Sequence, residues 1–241
     1  MKPIYVPSGK AKEYGDYAIN IYQGCPHCCT YCFAPSVLRK DREAFHSCVE
    51  PRAGIVEAVK RQLDKEQITD KLIFLCFTCD PYPTGYDSSA TREIIKLLKE
   101  SGNHVQILTK GTDVERDYDL LDGGDWLGIT YAGYVNGTLM EPSAYEPFAA
   151  VPWNRLYVLS QAHYRGIKTW ISCEPVLCAE SIYGIIGGTE YIDKYKIGKL
   201  NYHLSDINWG EFGRECERLC IEYGRDYYIK DSLRADMEDA K

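Results

Sequence analysis

The chain has 241 residues, 45% of them hydrophobic and 26% charged, with Gly and Pro dispersed, which fits one globular domain and excludes disordered, fibrous and low-complexity classes. Its 28 basic and 35 acidic residues give a net charge of −7, which disfavours clamping of a phosphate backbone by overall charge and leaves only a local basic groove for such a partner. The opening MKPIYVPSGKAKEYGD lacks an apolar signal region and no stretch approaches ~20 consecutive apolar residues, so neither secretion nor a membrane span is expected and the expected compartment is the cytoplasm.

In chain order, YAINIY at 17–22 reads as a first strand running straight into a cysteine-rich loop. Pro51 is placed to open a helix whose Ile55, Val56, Val59 and Leu63 recur at helical spacing. KLIFLCF at 71–77 is an apolar run of strand length, followed by the turn-rich CDPYPTGYD and a helix through Thr91, Ile94, Ile95, Leu97 and Leu98. HVQILTK at 104–110, a helix near 113–121, and WLGITYA at 126–132 continue the alternation. A longer loop with Glu141 and Pro142 leads to a helix near 153–164, with Gly166 as its C-terminal cap before the strand GIKTWISCEPV. A strand at 195–200, an amphipathic helix at 209–223 and a strand at 226–229 complete the pattern.

Strands separated by helices over this length predict a parallel α/β sheet curled into a barrel or part of one, where chemistry sits at the carboxyl ends of the strands. The residues at those ends are the cysteine loop, then Thr78, Cys79 and Asp80, then Thr109 and Lys110, Thr130, and finally Ser172 and Glu174. Eleven Cys without a signal peptide, an odd number concentrated at 25–32, point to metal chemistry in a reducing compartment. GCPHCCTYCFAP sets Cys25, Cys29 and Cys32 in a Cys-x3-Cys-x2-Cys arrangement, although spacing alone also permits a register using Cys28 and Cys32. Thiolates suit iron–sulfur clusters, which usually take four cysteines, so three close ligands leave one iron open to a substrate or cofactor.

The loop, with Phe33 after its third Cys, resembles the signature of the radical S-adenosylmethionine (radical SAM) superfamily. Gly24, Cys25, His27, Cys29, Tyr31, Cys32, Phe33 and Ala34 are similar to the spore-photoproduct-lyase-like group within it. Further stretches resemble that group in order and spacing: DPYPTGYDSSATREIIKLL, ILTKGTDVERDYDLL, and TLMEPSAYEPFAAVPWNRL, so the likeness spans roughly residues 16–178. It implies a partial (β/α)6 barrel over residues 1–241, with a core at about 16–200 and a C-terminal strand-helix-strand closing element at about 200–235. It also implies a [4Fe–4S] cluster on Cys25, Cys29 and Cys32, with S-adenosylmethionine on the open iron. One electron from a reductant such as flavodoxin or ferredoxin then generates a 5′-deoxyadenosyl radical that abstracts hydrogen from the substrate.

Carried over residue by residue, the resemblance places Phe33 near the adenine, and Cys79 and Asp80 at polar contacts to the ribose or amino end. Cys79 stands where Ser is common, and a thiol is a poor donor. Lys110 is matched to a residue that pairs with the methionyl carboxylate, and Thr130 to one near the ribose. Glu141, Arg155 and Glu174 are candidates for orienting cofactor or substrate, with a structural salt bridge the competing role for Arg155. His27 is expected to shape the loop, Tyr131 and Tyr134 to be core or rim aromatics, and Cys173, Cys178, Cys216 and Cys220 to be small apolar residues without auxiliary-cluster spacing. The substrate does not transfer with the fold; a modified nucleobase or nucleotide is favoured. Two alternatives stand beside this: a non-catalytic iron–sulfur binding or sensing protein on the same fold, and a zinc-stabilised nucleic-acid-binding module, which net charge and the absent fourth ligand disfavour.

Overall fold

The computed structural model describes residues 2–134 and 144–239. Strand β1 (Tyr17–Ile19) opens the main sheet, β2 (Tyr22–Gln23) follows, and helices α1 (Ala34–Leu38) and α2 (Arg42–Ser47) lie in the excursion before β3 (Glu50–Pro51). Then come α3 (Ile55–Glu66), β4 (Leu72–Leu75), α4 (Ser89–Glu100), β5 (His104–Thr109), a 3-10 helix (Asp113–Leu120) and β6 (Trp126–Thr130). The chain ends with α5 (Pro152–His163), β7 (Lys168–Cys173), α6 (Ala179–Gly188), β8 (Lys194–Ile197), α7 (Trp209–Glu222), β9 (Tyr227–Ile229) and α8 (Asp231–Asp239).

Seven strands form one sheet in the order β1-β4-β5-β6-β7-β8-β9, every neighbouring pair parallel. Sequence order equals spatial order, so each crossover carries its helix to the same face, the arrangement of a partial barrel. Alternation assigns the two faces. Ile73, Leu75, Val105, Ile107, Leu127, Ile129, Ile171, Tyr195 and Ile197 join the core under the helices, while Ala18, Phe74 and Trp170 form a second cluster on the opposite, inner face with Leu108 and Trp126 packed against it. Gly128 is required there, because a Cβ would stand 2.2 Å from the Trp170 ring.

Several details differ from the sequence expectation. The predicted first strand is two elements: Asn20 interrupts it, its Oδ1 accepting the Phe77 and Thr78 N–H groups at 2.8 and 3.0 Å, so that the chain leaves the main sheet after Ile19. Pro51 does not open a helix. It pairs with Tyr22 in the antiparallel β2–β3 ribbon that closes the base of the cysteine loop, and α3 begins at Ile55 behind Gly54, whose φ is +61°. The predicted helix near 113–121 is 3-10, and the strand predicted to 200 ends at Ile197. The C-terminal strand joins the sheet as its seventh strand, through a parallel ladder with β8.

An open parallel sheet has two exposed edges, and here the N-terminal segment spans them. Tyr5 forms an antiparallel bridge with Ala18 on the free edge of β1. Eight residues on, Glu13 accepts from the Tyr228 hydroxyl (3.2 Å) and the Asp231 N–H (3.0 Å) beyond β9, and its carbonyl accepts from Lys196 (3.2 Å) on β8. Tyr14 follows into the inner face, its ring 5.2 Å from Phe74, 5.6 Å from Phe77 and 6.0 Å from Trp170. Among the described residues no helix is long and apolar enough to cross a membrane.

Candidate cofactor site at the barrel mouth

The cysteine loop leaves β2 through Gly24, whose φ of +92° and close approach to the carbonyls of Phe45 and Cys48 admit no side chain: a Cβ would lie 2.7 and 2.2 Å from those oxygens. Gly24→Ala is therefore expected to cost more than ~1 kcal/mol, lowering Tm by at least about 2–4 °C in thermal melting; an unchanged Tm rules this constraint out. Within the loop Arg42, from α2, donates to the carbonyls of Cys29 (2.6 Å), Thr30 (2.8 Å) and Cys32 (3.1 Å), and His46 Nδ1 lies 2.8 Å from the Cys25 carbonyl. Helix α2 thus fixes the backbone on which the three thiols stand.

Cys25, Cys29 and Cys32 are all free thiols on one turn. Burial pushes the Cys25 thiol well above its ordinary range, assisted by the fields of Asp80, Cys29 and Cys32, while the backbone N–H of His27 bonds the sulfur and works the other way. Burial also raises Cys29, to about 11, against the pull of Lys110. Cys29 is buried, Cys25 and Cys32 are half-buried, and the fields of Cys29 and Cys32 reach Cys25, so these groups are unfavourable as bare thiolates; a cationic iron centre would compensate them, since coordination deprotonates a thiol outright. Cys28 stands apart. Its φ is +50°, and the charges acting on it, after burial, are those of Arg42 and Cys32.

Asp80, buried after β4, ties this loop to the next strand. Its Oδ1 accepts from Thr109 Oγ1 (2.6 Å) and the Tyr82 N–H (2.8 Å), its Oδ2 from the Lys110 N–H (2.8 Å), and His27 Nδ1 lies 3.5 Å from Oδ2. His27 Nε2 in turn meets Thr84 Oγ1 at 3.0 Å. Cys79 points its sulfur at the Tyr22 N–H (3.4 Å), as Cys76 does at the Ile21 N–H (3.5 Å). Beside them Thr78 Oγ1 is buried with no hydrogen-bond partner among the described residues, the kind of atom that a bound polar ligand satisfies.

Lys110 follows β5 with its ammonium 5.7 Å above the Tyr31 ring. Burial works against its charge, but the fields of Cys29 and Glu146 outweigh it and raise the pKa. Glu146 is buried against Arg155 (2.5 Å) and accepts from the Tyr31 hydroxyl. Arg155 also donates to the carbonyls of Ala150 (2.6 Å) and Thr130 (2.9 Å), so its guanidinium is committed within the protein. Thr130 is buried at the end of β6, level with Ser172. Phe33, at the start of α1, is 52% exposed beside the loop.

Glu174 lies on the far side of the mouth, bonded by Lys230, by the Tyr14 hydroxyl (3.2 Å) and by Asn201 (3.0 Å). Glu141 is outside the described residues. Cys173, Cys216 and Cys220 are buried together in the core beneath the helices, their thiols pushed up by burial. Sequence reasoning misses Arg42, Tyr14 and Lys230, which lie in no periodic pattern or spaced motif, and Glu146, which lies in the stretch TLMEPSAYEPFAAVPWNRL but is not distinguished there. The Asp-Pro-Tyr, Thr-Arg and Arg-Asp stretches do converge: buried Asp117 receives Arg92, Arg116 and the Tyr82 hydroxyl, and Thr91 bonds the Pro81 carbonyl, which fixes the loops after β4 and β5.

Comparison with known proteins agrees with this geometry. Residues 19–136 match the Radical SAM superfamily model. An uncharacterised protein of the Acidianus two-tailed virus is 30% identical over 190 residues, 73% of this chain and 61% of that one. One from Mycobacterium tuberculosis is 27% identical over 181 residues, 71% of this chain and 52% of its own length, so the chain spans only about half to two thirds of such curated relatives. Spore photoproduct lyase complexed with dinucleoside spore photoproduct superposes with a TM-score of 0.70 at 13% identity, covering 93% of this chain and 79% of that one. A radical S-adenosylmethionine methyltransferase from Kitasatospora setae, with cobalamin and a [4Fe–4S] cluster bound, gives 0.52 at 12% identity over 76% of this chain and 34% of that one. The match to the Radical SAM superfamily model thus runs through the cysteine loop, over just under half of the chain, and the fold is the one that both solved structures share.

Proposed function

We propose that the chain is a radical SAM enzyme in which Cys25, Cys29 and Cys32 hold a [4Fe–4S] cluster and the adjoining mouth binds S-adenosylmethionine, acting on a substrate of the nucleobase or nucleotide class. The observation that carries this reading is the three-thiol turn, with no fourth cysteine in the same turn besides the displaced Cys28, opening beside the cation of Lys110. When bound, the two cofactors supply one-electron cleavage of the sulfonium to methionine and a hydrogen-abstracting 5′-deoxyadenosyl radical.

The protein's part is to hold, orient and enclose. Lys110 offers a permanently charged donor for the methionyl carboxylate, because Cys29 and Glu146 keep it protonated despite burial. Phe33 supplies an apolar face for the adenine, and Thr130 and Thr78 supply hydroxyls at the strand ends. Asp80 and Arg155, whose polar atoms are already engaged, act as positioning residues: Asp80 sets the Lys110 backbone, and Arg155 sets Glu146, which in turn sets Tyr31 and Lys110. Cys79 does the same for the β1–β2 turn through Tyr22. Phe74, Phe77, Trp170 and Tyr14 close the barrel beneath the mouth and exclude water from it. Electrons come from a one-electron protein reductant such as flavodoxin or ferredoxin.

The test is anaerobic reconstitution with iron and sulfide, followed by dithionite and S-adenosylmethionine, with chromatography for 5′-deoxyadenosine. Formation of 5′-deoxyadenosine that rises when a nucleic-acid substrate is added is expected. A reconstituted chain with four iron and four sulfide that neither binds nor cleaves S-adenosylmethionine overturns the enzyme reading, and stimulation by peptide alone overturns the substrate class.

A further inference from the structure

The loop between β8 and α7 stands at the carboxyl end of the sheet, across the mouth from the cysteine loop. It is joined there to the N-terminal segment: Asn201 donates to Glu174, and Lys10 donates to Asn201 Oδ1 at 3.1 Å. At its crest Tyr202 is 87% exposed and has a φ of +65°, a conformation that a large side chain adopts only where the surrounding structure imposes it. The Lys10 ammonium lies 5.6 Å from the centroid of the Tyr202 ring, covering one face and leaving the other to solvent. Lys12, within the same 3-10 turn, is exposed and has no ion pair among the described residues.

The acids nearest this corner are already engaged. Glu174 is held by Lys230, Tyr14 and Asn201, Glu13 by Tyr228, Lys230 and the Asp231 N–H, and Asp236 by Lys199. Asp206, at the far end of the loop, and Asp231, bonded to Tyr228 and Glu13, are also exposed here, and Lys10 and Lys12 supply two exposed cations on an otherwise acidic chain. An exposed aromatic face backed by a cation, with a second cation one step away, matches a base and its phosphate. A peptide would need a side-chain pocket or an unpaired strand edge, and Tyr202 provides neither.

We propose that Tyr202, with Lys10 and Lys12, is a stacking platform for one base of a single-stranded nucleic acid, placing the neighbouring nucleotide over the mouth. The assignment rests on the function proposed above for its purpose but not for its measurement. Binding is read on the apo-protein by fluorescence anisotropy of labelled single-stranded DNA and RNA oligonucleotides, with a labelled peptide mixture as the alternative ligand.

Tyr202→Ala is expected to weaken oligonucleotide binding by roughly 5- to 150-fold and Tyr202→Phe to leave it nearly unchanged. Lys10→Gln with Lys12→Gln should reduce the slope of log K against log salt by about 1.4. Wild-type affinity in Tyr202→Ala, absence of oligonucleotide binding, or binding of the peptides in preference overturns the platform. Oligonucleotide binding that depends on Tyr202 in a chain that cannot cleave S-adenosylmethionine would retain the platform and dismiss the enzyme reading; cleavage without oligonucleotide binding does the reverse.

Discussion

Cys29→Ala is expected to lose most of its iron and sulfide on anaerobic reconstitution and to form 5′-deoxyadenosine only at the level of protein-free controls, while Cys28→Ala keeps both properties close to wild type. The spacing of the loop alone permits either cysteine, and the environment distinguishes them. Cys29 is buried, faces Lys110, and shares its field with Cys25 and Cys32, whereas Cys28 occupies a left-handed turn next to Arg42. Removing a thiol from the first set leaves two ligands, too few for a cluster of this type, and the half-buried Cys25, whose pKa its surroundings raise, then remains a protonated thiol. Iron and sulfide assays, with the electron paramagnetic resonance of the dithionite-reduced protein, provide a readout separate from turnover. Equal loss in the two variants would mean that the loop is being disrupted rather than a ligand removed; loss in Cys28→Ala alone would move the ligand set to the other register.

The same comparison shows which features the sequence makes legible. All seven strands of the sheet are readable because parallel strands buried on both faces appear as apolar runs bounded by turn residues. Helix α6 is not readable: its sequence AESIYGIIGG carries Gly184, Gly187 and Gly188, poor helix formers, and only packing of Ile182, Ile185 and Ile186 into the core makes it helical. Helices α1 and α2 are too short for a period to register, although Asp41 caps α2 through the Ala44 N–H. The bridging role of residues 5–14 is a tertiary fact, since nothing local in VPSGKAKEY indicates that Glu13 will meet Tyr228 and Asp231 from the opposite edge.

For the site, a spaced motif found the thiols, and strand ends found Asp80, Lys110 and Thr130. Burial decided the roles. Asp80 reads as a cofactor contact in the sequence and proves to be engaged by internal hydrogen bonds, Arg155 takes the salt bridge that was its competing role, and Glu146, which charges the neighbourhood of Lys110, lies in the stretch TLMEPSAYEPFAAVPWNRL without being marked out there. Charge and hydrogen-bonding capacity are visible in a sequence, whereas the partners that use them up are set by long-range packing.

Glu146→Gln is expected to be among the most destabilising substitutions outside the apolar core. The Glu146 carboxylate and the Arg155 guanidinium are both almost fully buried, and removing one charge leaves the other without compensation, a loss of about 3–5 kcal/mol. For a chain of this size that corresponds to a fall in Tm of roughly 6–20 °C. Glu146→Gln combined with Arg155→Met removes both charges and should recover a substantial part of that loss, which separates charge imbalance from simple loss of packing. The dependence on pH provides a second check. Burial pushes the Glu146 carboxyl upward, but Arg155 and Lys110 outweigh it and hold it below the ordinary glutamate value. A depressed carboxylate contributes stability that is fully present above the unfolded-state pKa of about 4.3 and is lost as pH falls through the lower folded-state value. The wild type should therefore lose stability on acidification below about pH 4.3 more steeply than Glu146→Gln, in which this group no longer titrates. A Gln variant that melts within a degree of wild type, with parallel acid titrations, would show that Arg155 finds its compensation elsewhere and that Glu146 does not organise the Lys110 side of the mouth.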